Sequence, residues 1–219
     1  MIIAIDGPSG SGKSTLGRML ARALDLLYID TGSMYRAVAL AVIDAGVNPS
    51  DTEAVTALAN RIEIDLEGDP DSLSVLLNGR DITDRLRTES VTEMSSIVST
   101  IPGVRRAMVE RQRTMGRRGA VLNGRDIGTV VFPGADIKFF LTAVPEERAE
   151  RRFKEDQMNS SAPSSLAETL ADMIERDRRD STRADSPLKI ADDAILVDST
   201  GKTIDEVFKE MMERIADRR

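Results

Sequence analysis

The chain has 219 residues, 41% of them apolar and 31% charged, and a net charge of −7, which fits one ordinary soluble domain or one core with a small appendage. It contains no Cys and no His, excluding disulfides, thiolate nucleophiles, Cys- or His-bound metals, Ser-His-Asp triads and any imidazole base, so chemistry here must run on carboxylates, hydroxyls, Lys and Arg, with a hard metal ion as the one further option. The acidic balance and the supply of only 5 Phe, 2 Tyr and no Trp argue against a general nucleic-acid binder, and no run of 18 apolar residues offers a membrane span.

Met1–Asp6 is an apolar run bounded by Gly7-Pro8, which predicts a buried strand. It passes straight into glycines without room for a signal peptide, so a cytoplasmic location is expected. Leu16, Met19, Leu20, Ala23 and Leu24 recur at helical spacing, and Leu26–Ile29 reads as a second strand. Thr31 is expected to cap a helix carrying Met34, Ala37, Val38, Ala41 and Val42 on one face, with Gly46 closing it. Residues 51–61 and 90–99 read as helices, and Pro102 and Pro145 as first helical positions. Ile62–Thr83 breaks this rhythm: alternating segments separated by Gly-Asp-Pro and Asn-Gly predict a small antiparallel meander packed on the main body. Ala120–Leu122, Ile137–Thr142 and Ala194–Val197 complete a set of strands alternating with helices, as in a parallel sheet covered on both faces. Ser165-x-x-Glu168 and Thr203-x-x-Glu206 have the form of capping boxes. Gln157–Ser165 is the one low-complexity stretch and fits either a mobile loop over a site or a solvated connection.

Gly7-Pro8-Ser9-Gly10-Ser11-Gly12-Lys13-Ser14 fits G-x-x-x-x-G-K-[ST]. Between a strand and a helix, its backbone N–H groups can wrap phosphates. Lys13 would reach the β and γ phosphates and the Ser14 hydroxyl would bind Mg²⁺, with Thr15 completing the triphosphate site. A phosphate loop does not name a reaction. No Asn-Lys pair occurs for guanine reading, and motor or transporter ATPases are usually longer. A small kinase is the remaining class, and it requires a second site for an anionic acceptor.

Asp30-Thr31-Gly-Ser-Met-Tyr35-Arg36 follows the second strand, where ligands gather at the carboxyl edge of such sheets. With Asn123-Gly124-Arg125-Asp126-Ile-Gly-Thr and Glu175-Arg176-Asp-Arg-Arg-Asp180-Ser-Thr-Arg183, the chain closely resembles, nearly end to end, the bacterial cytidylate kinases. These are CMP/dCMP kinases among the nucleoside monophosphate kinases. The resemblance implies an α/β P-loop fold with a five-stranded parallel core over about residues 1–35, 100–147 and 168–219. It further implies an acceptor-binding region with the β insert at about 36–99, and a short lid at about 148–167. Arg36 and Arg125 match the arginines on the acceptor phosphate, with Tyr35 beside them. Ser96, Arg105 and Asp126 match the cytosine readers, Thr31, Arg176 and Asp180 the ribose surroundings, and Arg183 the arginine near the transferring phosphates. The implied partners are Mg·ATP and CMP or dCMP, with no nucleic acid and no membrane. A monomer is expected, because no apolar helix face is left over.

These roles make chemical sense. Cytosine offers an amino donor at N4 and acceptors at N3 and O2, so Asp126 can accept while Arg105 and Ser96 donate. Uracil reverses donors and acceptors at positions 3 and 4, a mismatch of roughly 1–3 kcal/mol for each unpaired group.

Several features carry two readings. The 24 Arg against 6 Lys fit either bidentate grip on oxyanions or codon usage with surface ion pairs. Arg125-Asp126 is either functional or an ion pair within a turn. Of the basic run at Arg105, Arg106, Arg111, Arg113, Arg117 and Arg118, only Arg105 is assigned a function. Arg148, Arg151 and Arg152 share a helical face as lid arginines would, or pair with Glu146, Glu147, Glu150 and Glu155. Asn123 stands where the family usually has Asp or Glu; Asn keeps the shape there and loses the charge, and activity is expected to persist. The rival functions are a UMP or AMP kinase and a non-catalytic nucleotide-binding regulator.

Overall fold

The structure, a computed structural model, describes residues 1–158 and 165–218. The chain runs β1 (Ile2–Asp6), α1 (Lys13–Leu24), β2 (Leu27–Asp30), α2 (Thr31–Asp44) and α3 (Thr52–Arg61). Then come β3 (Ile64–Glu67), β4 (Ser74–Leu77), β5 (Arg80–Asp81), a 3₁₀ turn at Thr83–Arg87, α4 (Glu89–Val98) and α5 (Pro102–Gly116). It closes with β6 (Ala120–Gly124), a π-helical turn at Ile127–Val131, β7 (Ile137–Thr142), α6 (Pro145–Met158), α7 (Leu166–Thr182), β8 (Ile195–Asp198) and α8 (Ile204–Ala216).

The five long-range strands form one parallel sheet in the order β2-β6-β1-β7-β8. Side chains alternate across it, as period-2 geometry requires. Ile3, Ile5, Val121, Phe139 and Leu141 face a layer built from α1 and α8. Ala4, Ile29, Ala120 and Leu122 face the opposite layer of α2, α3, α4 and α5. Both faces are buried, so these strands read as continuous apolar runs.

The β insert forms the sheet β3-β4-β5 with antiparallel pairing, and Ile64, Val75, Leu77 and Ile82 join the core beneath α2. It therefore has no separate core. Both capping boxes form, at Ser165/Glu168 and Thr203/Glu206, and Pro102 and Pro145 open their helices. One cap is corrected. Asp30, not Thr31, caps α2 by accepting from the Gly32 N–H at 3.0 Å, and Thr31 is the first helical residue. Residues 159–164 of the low-complexity stretch, and with them part of the expected lid, lie outside the described residues.

Parallel register sets the functional edge. Asp6 lies beside Gly124, and Asp30 beside Asn123. The carboxyl ends of β1, β2 and β6 thus deliver three motif segments to one edge of the sheet, where ligands bind in open α/β folds.

Candidate active site

The phosphate loop leaves the central strand. A Cβ at Gly7 would stand 2.0 Å from the Leu141 carbonyl oxygen, so only glycine lets the loop lie flat on β7. Gly10 and Gly12 adopt φ of +72° and +93°, a region costly to other residues. Gly7 and Pro8 are packed inward, and the cleft wall begins at Ser9 and runs through Gly10, Ser11, Gly12, Lys13, Ser14 and Thr15. Gly12 provides no side-chain cap for α1, leaving its first amides free for an anion. Lys13 folds over its own loop, donating to the Pro8 carbonyl and, at 3.3 Å, to the Ser11 hydroxyl. Burial first, and Arg125 second, hold its ammonium well below the usual lysine range. An arriving phosphate would stabilise that charge.

Beside the loop, the ends of β2 and β6 meet. The Asn123 Nδ2 amide donates to Ser14 Oγ at 3.1 Å and to Asp30 Oδ1 at 3.4 Å, while its Oδ1 is buried without a partner. The Thr31 hydroxyl donates to the Asn123 carbonyl at 2.7 Å. Arg36 donates to the other Asp30 oxygen at 3.2 Å. Ser14 Oγ, Asn123 Oδ1 and Asp30 make an all-oxygen set suited to a hard cation. Among the described residues no group of three or more acidic or other metal-binding side chains forms a complete cage.

Across the cleft, charges are arranged in a chain. Arg125 does not pair with its neighbour Asp126. Its Nε donates to Asp180 at 2.8 Å, so the alternative of an ion pair within that turn is set aside. Asp126 instead receives Arg105 and lies 3.8 Å from Arg183; the two arginine side chains are 2% and 6% exposed. Burial alone would lower Arg105, but Tyr35 and Asp126 hold it above its ordinary value. Its guanidinium carbon lies 5.4 Å from the Tyr35 ring centroid, within cation–π range. Burial pushes the Tyr35 hydroxyl up to about 12, so it stays protonated. Burial would also raise Asp180, but Arg125, Arg176 and Arg183 outweigh it and hold the carboxyl below its usual range. Arg176 itself has neither hydrogen bond nor ion pair among the described residues, and burial and Arg125 lower it to about 10. Lys13, buried, and Arg176, half-buried, are thus basic side chains without an ion-pair partner among the described residues, facing one cleft.

That cleft has a volume of about 1560 Å³ and is lined by both the loop and these charged side chains. A single drug-sized ligand takes ~300–1,000 Å³, so the space suits two nucleotides. Thr31, Tyr35, Arg36, Arg105, Arg125, Asp126, Arg176, Asp180 and Arg183 all line it.

Two expected positions fall elsewhere, and two more line the cleft already paired. Ser96 is not on the cleft wall. The α4 hydroxyls that are, Thr92, Ser95 and Ser99, follow i, i+3, i+7 spacing, and one residue is about 100° of helical rotation. Arg148 is no lid residue: it is buried, absent from the cleft wall, and donates to the carbonyls of Ala143 and Ser9 at 3.0 Å each and to Asp177. Arg151 lines the cleft but is tethered to Ser199 and Glu147, and Arg152 lines it paired with Asp156 and Glu155.

Sequence reasoning missed other positions. The buried Asp6 carboxylate accepts from the Ile127 and Gly128 amides at 2.8 and 2.7 Å, fixing the Arg125-Asp126 segment from beneath. Burial pushes it up to about 6, against the pull of those two amides. The Tyr28 hydroxyl donates to the Ser14 carbonyl at 3.3 Å. An Asp ending a strand before a glycine loop was the available signal for the first; nothing local marks the second.

Comparison with known proteins fits this geometry. The sequence profile of the family described as cytidylate kinase matches residues 3–217. The chain is 51% identical over 211 residues to a cytidylate kinase of Desulforamulus reducens, covering 96% of this chain and 94% of that one. It is 48% identical over 220 residues to a cytidylate kinase of Solibacter usitatus, covering 100% and 93%. A bifunctional pantoate ligase/cytidylate kinase of Synechococcus is 49% identical over 209 residues, covering 94% of this chain and 43% of that one. Among solved structures, an uncharacterized protein from Eubacterium ventriosum shares the fold at a TM-score of 0.57 and 12% identity, over 99% of this chain and 98% of that one. Sequence, sheet order and a phosphate loop facing an arginine-rich cleft wall agree: the chain belongs to the cytidylate kinase family and is a phosphotransferase.

Proposed function

We propose that this chain transfers the γ-phosphoryl group of ATP to CMP and dCMP, giving ADP and CDP or dCDP, by one direct in-line displacement. The observation that carries the reading is a pair of cations without an ion-pair partner, buried Lys13 and half-buried Arg176, facing the one cleft that the phosphate loop shares with the acceptor arginines. A phosphate monoester has its second pKa near 6, so the acceptor oxygen is already anionic at neutral pH. No general base is required, which accounts for a site without histidine. Catalysis then rests on alignment and charge neutralisation.

In this reading the amides of Gly10–Ser14 and the Lys13 ammonium hold the donor triphosphate. Arg36 and Arg125 grip the acceptor phosphate, and Arg183 lies toward the transferring group. Tyr35 flanks the acceptor phosphate, while Thr31, Arg176 and Asp180 surround the ribose. Asp126 and Arg105 read the base, with Thr92, Ser95 or Ser99 in the role expected of Ser96. Ser14, Asn123 and Asp30 would hold Mg²⁺, directly or through water, with nucleotide phosphates filling most of its shell. Bound Mg²⁺ supplies neutralisation of the phosphate charge. Residues 36–99 serve as the acceptor-binding region, and the segment after Arg148 as its cover. The nucleotide substrates are intracellular metabolites, which supports a cytoplasmic location.

ATP labelled at the γ position tests the reaction. Label should pass to CDP when CMP is added and never reside on the protein. A labelled protein, or label released as inorganic phosphate at the same rate with and without CMP, would overturn direct transfer.

A further inference from the structure

Asp177 lies in α7 between arginines, and none of the roles above uses it. Its two oxygens have different partners. Oδ2 receives Arg148 Nη1, and Oδ1 receives the Ser9 backbone N–H at 3.3 Å. The same Arg148 Nη1 donates to the Ser9 carbonyl at 3.0 Å, and Arg148 Nε donates to the Ala143 carbonyl at 3.0 Å. One ion pair, drawn from α6 and α7, therefore holds both polar groups of a single phosphate-loop residue. The side chains are 7% exposed at Arg148 and 18% at Asp177, so neither is solvated enough to be idle. The contact is tight on the next residue too: a Cβ at Gly10 would stand 2.7 Å from the Arg148 carbonyl oxygen.

The charges of this pair cancel. Arg148 is spent on Asp177 and on carbonyls, so it is not available to a phosphate, although it is buried close to where one would bind. Without Asp177, a cation would stand unneutralised beneath the loop, and the Ser9 amide would lose its acceptor. Without Arg148, a carboxylate would stand unneutralised beside the triphosphate. Either loss disturbs the curvature that turns the following amides inward, and the loop's grip on phosphate depends on that curvature.

We propose that Asp177 is a positioning residue for the phosphoryl donor: paired with Arg148, it clamps the Ser9 peptide and thereby ties the geometry of the phosphate loop to the packing of α6 on α7. This rests on the reading of the Gly7–Ser14 loop as the ATP site. The pair does not touch the acceptor wall, so its loss falls on ATP and spares CMP, a division that general destabilisation would not produce.

The test is a comparison of wild type, Asp177→Asn, Arg148→Met, Arg148→Lys and the double variant Arg148→Met/Asp177→Asn. KM for ATP, KM for CMP, the dissociation constant of a ribose-labelled fluorescent ATP and the melting temperature are measured for each. Wild-type turnover with ATP and CMP tests the underlying reading independently. Given that turnover, Asp177→Asn should raise KM for ATP and the analogue dissociation constant about 5–30-fold, with KM for CMP within about twofold. Arg148→Met should do the same or more, Arg148→Lys should recover part of the loss, and the double variant should be no worse than the worse single one, because the pair acts as a unit. Parallel rises in both KM values, additive losses in the double variant, or wild-type ATP affinity in Asp177→Asn would each overturn the proposal. Should Asp177→Asn not fold, Arg148→Lys against Arg148→Met decides: equal ATP affinity in those two would refute the clamp.

Discussion

Replacing Asn123 by Asp, the residue type that the family resemblance leads one to expect there, should weaken the empty protein. The amide now donates to Asp30 Oδ1 at 3.4 Å and to Ser14 Oγ at 3.1 Å. A carboxylate there would face a carboxylate. Two unit charges at that separation repel by about 5 kcal/mol at an effective dielectric constant of ~20. Arg36 stands 3.2 Å from the other Asp30 oxygen, and the Asp30 side chain is 19% exposed, so screening should leave about 1–3 kcal/mol. For a chain of this size that is a fall of about 2–10 °C in melting temperature. The sign of its pH dependence follows from linkage. Repulsion raises the folded pKa of the introduced carboxyl above its unfolded value, so the penalty is absent below the unfolded pKa and grows as pH rises through the folded one. Thermal melts of Asn123→Asp at pH 5 and pH 8, with and without Mg·ADP, read this directly. The loss should be larger at pH 8 and should shrink with Mg·ADP, while turnover stays within about tenfold of wild type, because Ser14, phosphates and water can complete an octahedral shell. An unchanged melting temperature at pH 8 without divalent cation would refute the electrostatic reasoning. A turnover gain above about tenfold would show that Asn123 had cost the enzyme a metal ligand.

Asp126→Asn leaves two buried arginines sharing no carboxylate, at a cost of about 3–5 kcal/mol, visible in a denaturant titration; it should also narrow the CMP-to-UMP ratio of kcat/KM by about 5–150-fold, and a wild-type ratio would remove Asp126 from base reading. Arg176→Met should lower kcat/KM for CMP by about 100-fold or more while leaving stability equal or higher, since it removes a half-buried cation without an ion-pair partner; a stability loss with full activity would reverse its role. Asp6, pushed up to about 6 by burial from an ordinary 3.8, keeps a proton in the folded state that the unfolded chain has lost. Stability must therefore fall as pH rises from about 4 to about 6, by about 2–3 kcal/mol from this group. The difference between wild-type and Asp6→Asn unfolding free energies, plotted against pH, isolates that slope; a flat difference would contradict it.

Local patterns carried the sheet, both capping boxes, the antiparallel insert and the phosphate loop, because each is set by neighbours a few residues apart. What escaped was set by rotation about a helix or by distance along the chain. Asp30 outcompetes Thr31 as a cap because the Thr31 hydroxyl is claimed by the Asn123 carbonyl across the sheet. Ser96 and Ser95 differ by one step of helical rotation, and only packing of α4 on α2 fixes which hydroxyls face the cleft. Arg148 looked like a lid arginine because its nearest acidic residues in sequence are glutamates of its own helix. Its actual partners, Asp177 and the Ser9 carbonyl, lie 29 and 139 residues away. The partners of Arg125 and Asp126 escaped for the same reason: the two are adjacent in sequence, yet each is neutralised from α7 or α5 or their ends.

The measurement that bears most directly on the reading is ADP release from Mg·ATP with CMP, dCMP, UMP and AMP offered separately. Strong turnover with CMP and dCMP, and little with the other two, is the expected result and would tie the Arg105–Asp126 wall to cytosine. Turnover led by UMP or AMP would keep the kinase and overturn those base-reading roles. ATP binding without ADP release under any of the four would contradict catalysis altogether and leave a nucleotide-binding regulator on this fold.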